Sequence, residues 1–237
     1  MNREEVINFF NEKLNENNIT ISDEQMNDFI LYMDNLIEWN KKINLTAIKE
    51  EKDIIVKHFI DSILIEKEVI GDKLIDIGSG AGFPGIPLKI FRNDLNVTLI
   101  DSVNKKVLFM NDSIEKLKLD NIVAIHCRAE EYAHNNKYRE SFDVATSRAV
   151  ANMSTLVEYM LPFVKLGGKC ICMKGPNSEE EINDSKKAIS MLGGEIERVE
   201  KYKIDDNDRC LVIIKKIKKT EQIYPRNQGK PLKFPLK

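Results

Sequence analysis

The sequence predicts an α/β protein in which a mostly parallel seven-stranded sheet follows a helical N-terminal region. Three observations support this fold class. Apolar residues recur at three- and four-residue spacing over residues 1–70, which is typical of amphipathic helices. After Gly71, short apolar runs alternate with amphipathic segments, as in a parallel sheet covered by helices on both faces. The last two apolar runs have no helix between them, which predicts an antiparallel hairpin at one edge of the sheet.

The N-terminal region contains three segments with helical periodicity. They are VINFFNEKL (6–14), MNDFILYMDNLIEW (26–39) and EEKDIIVKHFIDSILIEK (50–67). Ser22 and Asp23 precede the second segment and are suited to capping its first turn. We expect these helices to form a cap on the sheet.

The remaining elements follow in alternation along the chain. The predicted strands are KLIDI (73–77), VTLID (97–101), NIVAIHC (121–127), FDVAT (142–146), KCICMK (169–174), EIERVEKYKI (195–204) and RCLVIIKKI (209–217). The predicted helices are PGIPLKIF (84–91), NKKVLFMNDSIEKLK (104–118), NMSTLVEYMLPFVK (152–165) and SEEEINDSKKAISML (178–192). We therefore divide the chain into a helical region (1–70), a ligand-binding core (71–219) and a basic tail (220–237).

Composition limits the class of protein. The chain has 237 residues, of which 42% are hydrophobic and 31% charged, values that suit a protein with a buried core. No apolar run approaches the roughly 20 residues that span a bilayer, and the N-terminus lacks the features of a signal peptide. The four cysteines show no framework spacing, which favours reduced thiols in a cytoplasmic protein. None of the three histidines lies near a cysteine pair, so we expect no metal site.

Charge is distributed unevenly along the chain. The net charge is only −2, which argues against a protein that coats nucleic acid. The first thirty residues are acidic, whereas the segment after residue 215 is rich in lysine and arginine. A basic tail is either a solvated chain end or a contact for a polyanion, and the sequence leaves both interpretations open.

Polar residues and glycines follow four successive predicted strands. Because the carboxyl ends of parallel strands meet at one edge of a sheet, we expect these residues to form one ligand site. They are residues 76–85 after the first strand, Asp101 and Ser102 after the second, residues 128–130 after the third, and Ser147 and Arg148 after the fourth.

The glycine turn GAGFPG (80–85) fits two kinds of ligand. A dinucleotide would bind through its pyrophosphate to N–H groups at the following helix, but Pro84 and Pro87 lack that group. Asp76 would also place a carboxylate near the phosphates, whereas it would suit the positive sulfonium and amino group of S-adenosylmethionine. Asp101 would then accept hydrogen bonds from the ribose hydroxyls. The turn favours S-adenosylmethionine over a dinucleotide, and a turn without a ligand is the third interpretation.

Eight segments spread along the chain resemble one known family. They are WNKKINLTAI (39–48), KHFIDS (57–62), DIGSGAGFPGIPL (76–88), LIDSVNKKVLF (99–109), CRAEEY (127–132), FDVATSRAV (142–150), KGPN (174–177) and YPRNQGKP (224–231). The sequence is similar here to the bacterial small-subunit ribosomal RNA methyltransferase G family, also called glucose-inhibited division protein B. The resemblance implies a class I, Rossmann-like methyltransferase fold. It also implies methyl transfer from S-adenosylmethionine to N7 of one guanine in 16S rRNA, in a loop near the decoding site.

The cofactor-binding residues that we expect come from the strand ends and from this resemblance. Phe83 stands where other members often carry leucine, which keeps an apolar contact. The residues are Asp76, Gly78, Gly80, Phe83, Asp101, Ser102, Ala129, Glu130 and Arg148.

Guanine N7 has a free lone pair and no proton, so we expect direct displacement without a general base. Arg148 either pairs with an acid such as Asp143 or positions the reactants, through the donor, guanine O6 or a phosphate. We expect RNA contacts from Lys57 and His58 and from the tail, although His58 also suits a structural role. The candidate residues in the tail are Arg226 and Lys230.

The expected partner is 16S rRNA, within the 30S subunit or an assembly intermediate, and we expect a monomer. Two other classes of function are weighed against this one. The first is an NAD-linked oxidoreductase, which the glycine turn alone would permit. The second is a noncatalytic RNA-binding protein that retains the methyltransferase fold.

Overall fold

The computed structural model describes residues 1–148 and 150–237 and confirms a seven-stranded, mostly parallel sheet. The strands are β1 (Lys73–Ile77), β2 (Asn96–Asp101), β3 (Ile122–His126), β4 (Phe142–Arg148), β5 (Val164–Lys174), β6 (Gly194–Ile204) and β7 (Asn207–Lys216). Their order is β3-β2-β1-β4-β5-β7-β6. The first five pair in parallel, and β7 pairs antiparallel with both β5 and β6. The expected hairpin is therefore confirmed, with β7 one place inside the edge.

The helices cover both faces of this sheet. They are α1 (Arg3–Glu16), α2 (Asp23–Asn40), α3 (Glu51–Ile54), α4 (Asp61–Ile63), α5 (Gly85–Phe91), α6 (Asn104–Lys116), α7 (Ala129–Tyr132), α8 (Met153–Met160), α9 (Glu179–Met191) and α10 (Lys230–Lys233). Within the described residues, none of the helices combines the length and apolarity needed to cross a bilayer.

The N-terminal helices share one hydrophobic core with the sheet. Capping boxes at Asn2 and Ser22 satisfy the first N–H groups of α1 and α2 and so fix where each helix begins. Phe10, Phe29 and Phe59 are fully buried and pack together, with ring centroids 5.1–5.8 Å apart. Burying each ring stabilises the fold by roughly 1.5–3 kcal/mol. The helical region is thus packed into the core of the protein.

The third N-terminal helix differs from the prediction of one continuous helix over 50–67. The structure has α3, then a π-helical segment over Ile55–Ile60, then α4. Apolar spacing does not distinguish α from π turns, because the change adds only one residue to a turn. The π-helical segment carries Lys57 and His58, and it leads directly into Asp61. All three residues lie at the pocket described below.

Two further features differ from the sequence prediction, the start of β5 and the presence of α7. Strand β5 begins at Val164, although the periodicity predicted a helix up to residue 165. Pro162 explains the difference, because α8 ends at Met160 and proline is accommodated in a short 3₁₀ turn, Leu161–Phe163. The four-residue helix α7 was not predicted, since so short a helix has no periodic pattern.

Candidate functional site

A cavity of about 720 Å³ opens at the carboxyl ends of the parallel strands. This is where polar residues were expected to converge, and its size suits a small-molecule ligand with part of a second one. Its wall includes the ends of β1, β2, β4 and β5, residues of the N-terminal region and Leu232 of the tail. Of the expected cofactor-binding residues, those that line it are Gly78, Gly80, Phe83, Asp101, Ser102, Ala129, Glu130 and Arg148.

The glycine turn brings the backbone close to the cavity. Gly78 and Gly80 have φ values of +68° and +63°, which residues with a side chain rarely adopt. A Cβ atom at Gly78 would lie 2.5 Å from the Val150 side chain. A Cβ atom at Gly80 would meet nothing nearer than the Gly78 carbonyl at 3.9 Å, so it would project into open space. The space beside Gly80 is therefore open to a ligand, whereas Gly78 lets the backbone pass close to Val150.

Asp101 fixes the turn and faces the cavity. Its Oδ2 accepts a hydrogen bond from the Gly80 N–H (2.9 Å) and its Oδ1 accepts one from the Val103 N–H (2.8 Å). The Lys106 ammonium lies 3.9 Å away. Each carboxylate oxygen keeps a second lone pair. The two oxygens of Asp101 can therefore still accept hydrogen bonds from two hydroxyl groups of a ligand.

Asp76 does not reach the cavity. Its side chain is fully buried, and its Oδ2 accepts a hydrogen bond from the Gly85 N–H at 3.0 Å, where α5 begins. Its Oδ1 has no partner among the described residues. Burial raises the pKa of this carboxyl to about 7. In this structure Asp76 fixes the start of α5 rather than contacting the ligand space.

Arg148 holds one wall of the cavity together. Its guanidinium donates hydrogen bonds to the Lys57 carbonyl (3.0 Å) and to His58 Nδ1 (2.9 Å), and it lies 3.6 Å from the Asp61 carboxylate. It also lies 4.8 Å from the centre of the Phe83 ring, a distance suited to a cation–π contact. The His58 ring stacks on Phe83 with centroids 4.3 Å apart. Phe83, His58 and Arg148 thus form one packed unit.

Arg148 was expected to pair either with Asp143 or with a reactant, and its acid partner is Asp61 instead. Asp143 lies at the other end of β4, where it forms an ion pair with Lys165 and accepts a hydrogen bond from the Lys73 N–H. Parallel strands separate their two ends, so a residue near the start of β4 cannot reach its carboxyl end. The residue that sequence reasoning missed, Asp61, lies in the KHFIDS segment already noted.

His58 is uncharged in this wall. Burial, followed by the nearby Arg148 charge, lowers the pKa of its imidazole to about 3. Its Nε2 lies 3.0 Å from the Thr46 hydroxyl. The side chain therefore serves as a neutral hydrogen-bonding group between two residues of the cavity wall.

The expected RNA-binding residues lie in two places. Lys57 and His58 line the cavity, and Lys57 also pairs with Asp53 at 2.8 Å. Lys230 begins α10 and is exposed. Neither tail residue lines the cavity, but Leu232 does, so the tail runs along its rim.

Arg226 does not fit the expectation of an RNA contact. Its Nε and Nη2 donate hydrogen bonds to both carboxylate oxygens of Glu158, at 2.9 and 2.8 Å, and Glu158 is fully buried in α8. Nη2 also donates to the Phe234 carbonyl. The charge of Arg226 is thus used inside the protein, where it attaches the tail to the sheet domain. This pairing could not be predicted from the sequence, because the partners are 68 positions apart.

The cavity also contains residues that sequence reasoning did not select. They include two cations, Lys174 and Arg209, and the hydroxyl of Thr46. Lys174 ends β5 and donates to the Ala151 carbonyl at 2.7 Å. Strand order brings Lys174 and Arg209 to the site, and packing of the N-terminal region brings Thr46 there. Among the described residues there is no cluster of three or more possible metal ligands.

Comparison with solved structures supports the fold. The chain is similar to precorrin-6y C5,15-methyltransferase from Geobacter metallireducens, with a TM-score of 0.52, 12% identity, and coverage of 73% of this chain and 91% of that one. It is also similar to M. jannaschii TYW2 in complex with AdoMet, with a TM-score of 0.51, 16% identity, and coverage of 66% and 77%. At these identities the likeness concerns the fold, which is that of a class I, Rossmann-like methyltransferase.

Comparison of sequences identifies the family. Residues 25–212 match the GidB family model, described as rRNA small subunit methyltransferase G. The ribosomal RNA small subunit methyltransferase G of Clostridium botulinum (strain Loch Maree / Type A3) is 51% identical over 238 aligned positions, covering 98% of this chain and 100% of that protein. The protein of the same name from Clostridium novyi (strain NT) is 49% identical, with coverage of 92% of each chain. The chain therefore belongs to the ribosomal RNA small subunit methyltransferase G family.

Proposed function

We propose that this protein transfers a methyl group from S-adenosylmethionine to N7 of one guanine in 16S rRNA. The observation that carries the proposal is membership of the family over nearly the whole chain, since both relatives named above are ribosomal RNA small subunit methyltransferases. As a member, the protein is an S-adenosylmethionine-dependent enzyme. We further propose that it acts in the cytoplasm, where 16S rRNA is found, and as a monomer, which a cavity built within one chain supports.

The cavity wall fits S-adenosylmethionine. We assign the methionine end to Gly78 and Gly80, because the space beside Gly80 is open and Gly78 lets the backbone pass close to Val150, and the ribose hydroxyls to the free lone pairs of Asp101. Ala129 and Glu130 after β3 would contact the adenine. Ser102 and Phe83 complete the site. Asp76 supports it indirectly, by accepting a hydrogen bond from the Gly85 N–H.

The start of α5 argues against a dinucleotide. A pyrophosphate needs free N–H groups at the helix N-terminus. The Gly85 N–H already donates to Asp76, the Ile86 N–H donates to the Gly82 carbonyl at 2.7 Å, and Pro87 has none. The donors that an NAD-linked oxidoreductase would use are therefore occupied, which supports the methyl donor.

The wall beside Arg148 can position a base without removing a proton. When bound, S-adenosylmethionine supplies a methyl group on positively charged sulfur. Because guanine N7 has a lone pair and no proton, methylation there would require no residue of this wall to accept a proton. His58 is unsuited to act as a base, because its Nδ1 accepts from Arg148 and the pKa of its imidazole is about 3. The packed unit of Phe83, His58 and Arg148 would instead position the base.

We further propose that the RNA contacts the N-terminal region (1–70) and the basic tail (220–237), whereas the core (71–219) binds the donor. Lys57, His58 and Lys230 lie at or near the rim of the cavity and are the candidate contacts. Arg226 would act indirectly, by holding the tail in place through Glu158.

The proposal is tested with purified protein, labelled S-adenosylmethionine and two substrates, free 16S rRNA and 30S subunits. We expect labelled N7-methylguanosine at one position after nuclease digestion, and the better substrate identifies the physiological form of the RNA. A label on another atom would contradict the N7 assignment. RNA binding without any transfer to either substrate would favour the noncatalytic RNA-binding alternative.

A further inference from the structure

A threonine hydroxyl stands in the cavity wall beside the packed unit. Thr46 is half-buried in the loop between α2 and α3 and lines the cavity together with His58 and Arg148. Its side chain belongs to a chain of hydrogen bonds that runs from Arg148 through His58. The direction of every bond in this chain follows from which groups can donate.

The position of the proton on His58 follows from the contact with Arg148. A guanidinium has N–H donors and no acceptor, so the 2.9 Å contact from Arg148 requires Nδ1 of His58 to accept. The neutral imidazole then carries its proton on Nε2. That nitrogen lies 3.0 Å from the Thr46 hydroxyl oxygen, so it donates to that oxygen.

The Thr46 hydroxyl oxygen already accepts two hydrogen bonds. The oxygen accepts from His58 Nε2 and also from the Ile48 N–H at 3.1 Å. A hydroxyl has two acceptor lone pairs and one donor proton, so both lone pairs are occupied. The proton has no acceptor among the residues that the structure describes. Thr46 can therefore act only as a donor, and a group bound in the cavity that it lines can accept its proton.

The Thr46 hydroxyl lies in the part of the cavity that is not assigned to S-adenosylmethionine. The ends of β1, β2 and β3 hold the residues assigned to the methyl donor, namely Gly78, Asp101 and Ala129. Arg148 ends β4, on the other side of β1 in the sheet. The part of the cavity beside Thr46, His58 and Arg148 is thus left for the second reactant.

We propose that the Thr46 hydroxyl donates a hydrogen bond to O6 of the target guanine and thereby selects guanine over adenine, an inference that rests on the proposed function. Guanine and adenine both present N7 as an acceptor, so the reacting atom does not distinguish them. At position 6 guanine has an oxygen acceptor, whereas adenine has an amino donor. An ordinary hydroxyl would tolerate either, but one whose lone pairs are occupied matches only the oxygen.

The test compares the wild-type enzyme and variants at Thr46 on two RNAs. The RNAs are 16S rRNA with guanosine or 2-aminopurine riboside ligated at the target position, in the form that the wild type methylates. 2-Aminopurine keeps N7 but has only hydrogen at position 6. The quantity compared is the single-turnover kcat/KM on the guanosine RNA divided by that on the 2-aminopurine RNA. We expect this ratio to fall about tenfold in Thr46→Val, because the variant loses one hydrogen bond to O6. Thr46→Ser keeps the hydroxyl and should keep the wild-type ratio within about threefold.

The ratio separates base selection from structural damage. A valine that merely disturbs His58 lowers the rates on both RNAs equally and leaves the ratio unchanged, which would overturn the proposal. Thr46→Ala is measured in parallel and should give the same lowered ratio, in case the valine variant has too little activity to measure. A wild-type enzyme that methylates no guanine would instead contradict the proposed function itself.

Discussion

Burial changes the proton affinity of two side chains near the cavity in ways that sequence alone does not reveal. His58 is held neutral because burial disfavours the charged imidazole and lowers its pKa, and the nearby Arg148 charge adds to this effect. Asp76 holds its proton more tightly than usual because burial disfavours the carboxylate. The sequence selected both residues, but their surroundings, which depend on the π-helical segment and on α5, decide what each one does.

The state of His58 predicts the pH dependence of methyl transfer. With a pKa of about 3, His58 stays neutral, and His58→Asn should lower the single-turnover rate by the same factor at every pH between roughly 6.5 and 8.5. Rates are measured with both substrates saturating. A wild-type rate that rises steeply near pH 6.5, with no such rise in the variant, would identify His58 as a general base and would contradict attack by unprotonated N7.

Asp76 predicts a pH dependence of stability. The pKa of its carboxyl is about 7 in the folded protein and near the ordinary value of 3.8 in the unfolded chain. Its contribution is therefore fully present below pH 3.8 and is lost as the pH rises through 7, because the folded state must then hold a buried charge.

Asp76→Asn keeps an acceptor for the Gly85 N–H and removes the titration. In urea unfolding without ligand, the stability of the variant relative to the wild type should increase by roughly 1–3 kcal/mol between pH 5 and pH 8. A difference that stays constant with pH would show that Asp76 is not protonated in the folded protein.

At the scale of elements, the basic residues of the C-terminal tail fall into two groups that charge alone did not separate. Arg226 is directed inward to the buried Glu158, whereas Lys230, Lys233 and Lys237 are exposed. A count of basic residues treats the four as equal. Only the packing of the tail against α8 distinguishes the residue that anchors it from those that are free to meet RNA.

Charge reversal of the exposed residues should affect RNA alone. Replacing Lys230, Lys233 and Lys237 with Glu should weaken RNA binding and reduce the slope of log K against log salt by up to about 0.7–0.9 per lost phosphate contact. Affinity for S-adenosylmethionine, measured by calorimetry, should change by less than about twofold. Unchanged RNA affinity would mean that the tail is only a solvated chain end.

Arg226→Ala provides the matched contrast within the same element. It leaves the buried Glu158 carboxylate without its cation, a change that costs roughly 3–5 kcal/mol of stability in comparable sites. The unfolding midpoint in urea should fall clearly for this variant and hardly at all for the triple lysine variant. Equal midpoints would contradict the anchoring role.

At the scale of the whole molecule, alternation of strands and helices was enough to predict the sheet and the edge at which the site lies. The glycine turn and Asp101 could be placed because both follow strands directly. Thr46, Asp61 and Arg209 could not, because they reach the cavity only through long-range packing of the N-terminal region and β7. The helix prediction over 50–67 gave no sign of the π-helical segment that turns His58 towards Phe83.

The most direct test of methylation at guanine N7 is a map of N7-methylguanines in 16S rRNA from a strain that lacks this protein. We expect one such guanine to be unmethylated in that strain and restored by the wild-type protein. Gly78→Arg should fail to restore it, because a Cβ atom there lies 2.5 Å from Val150 and the longer side chain occupies the donor space. An unchanged set of N7-methylguanines in the deletion strain, or loss of a methyl group from a different atom, would contradict the account.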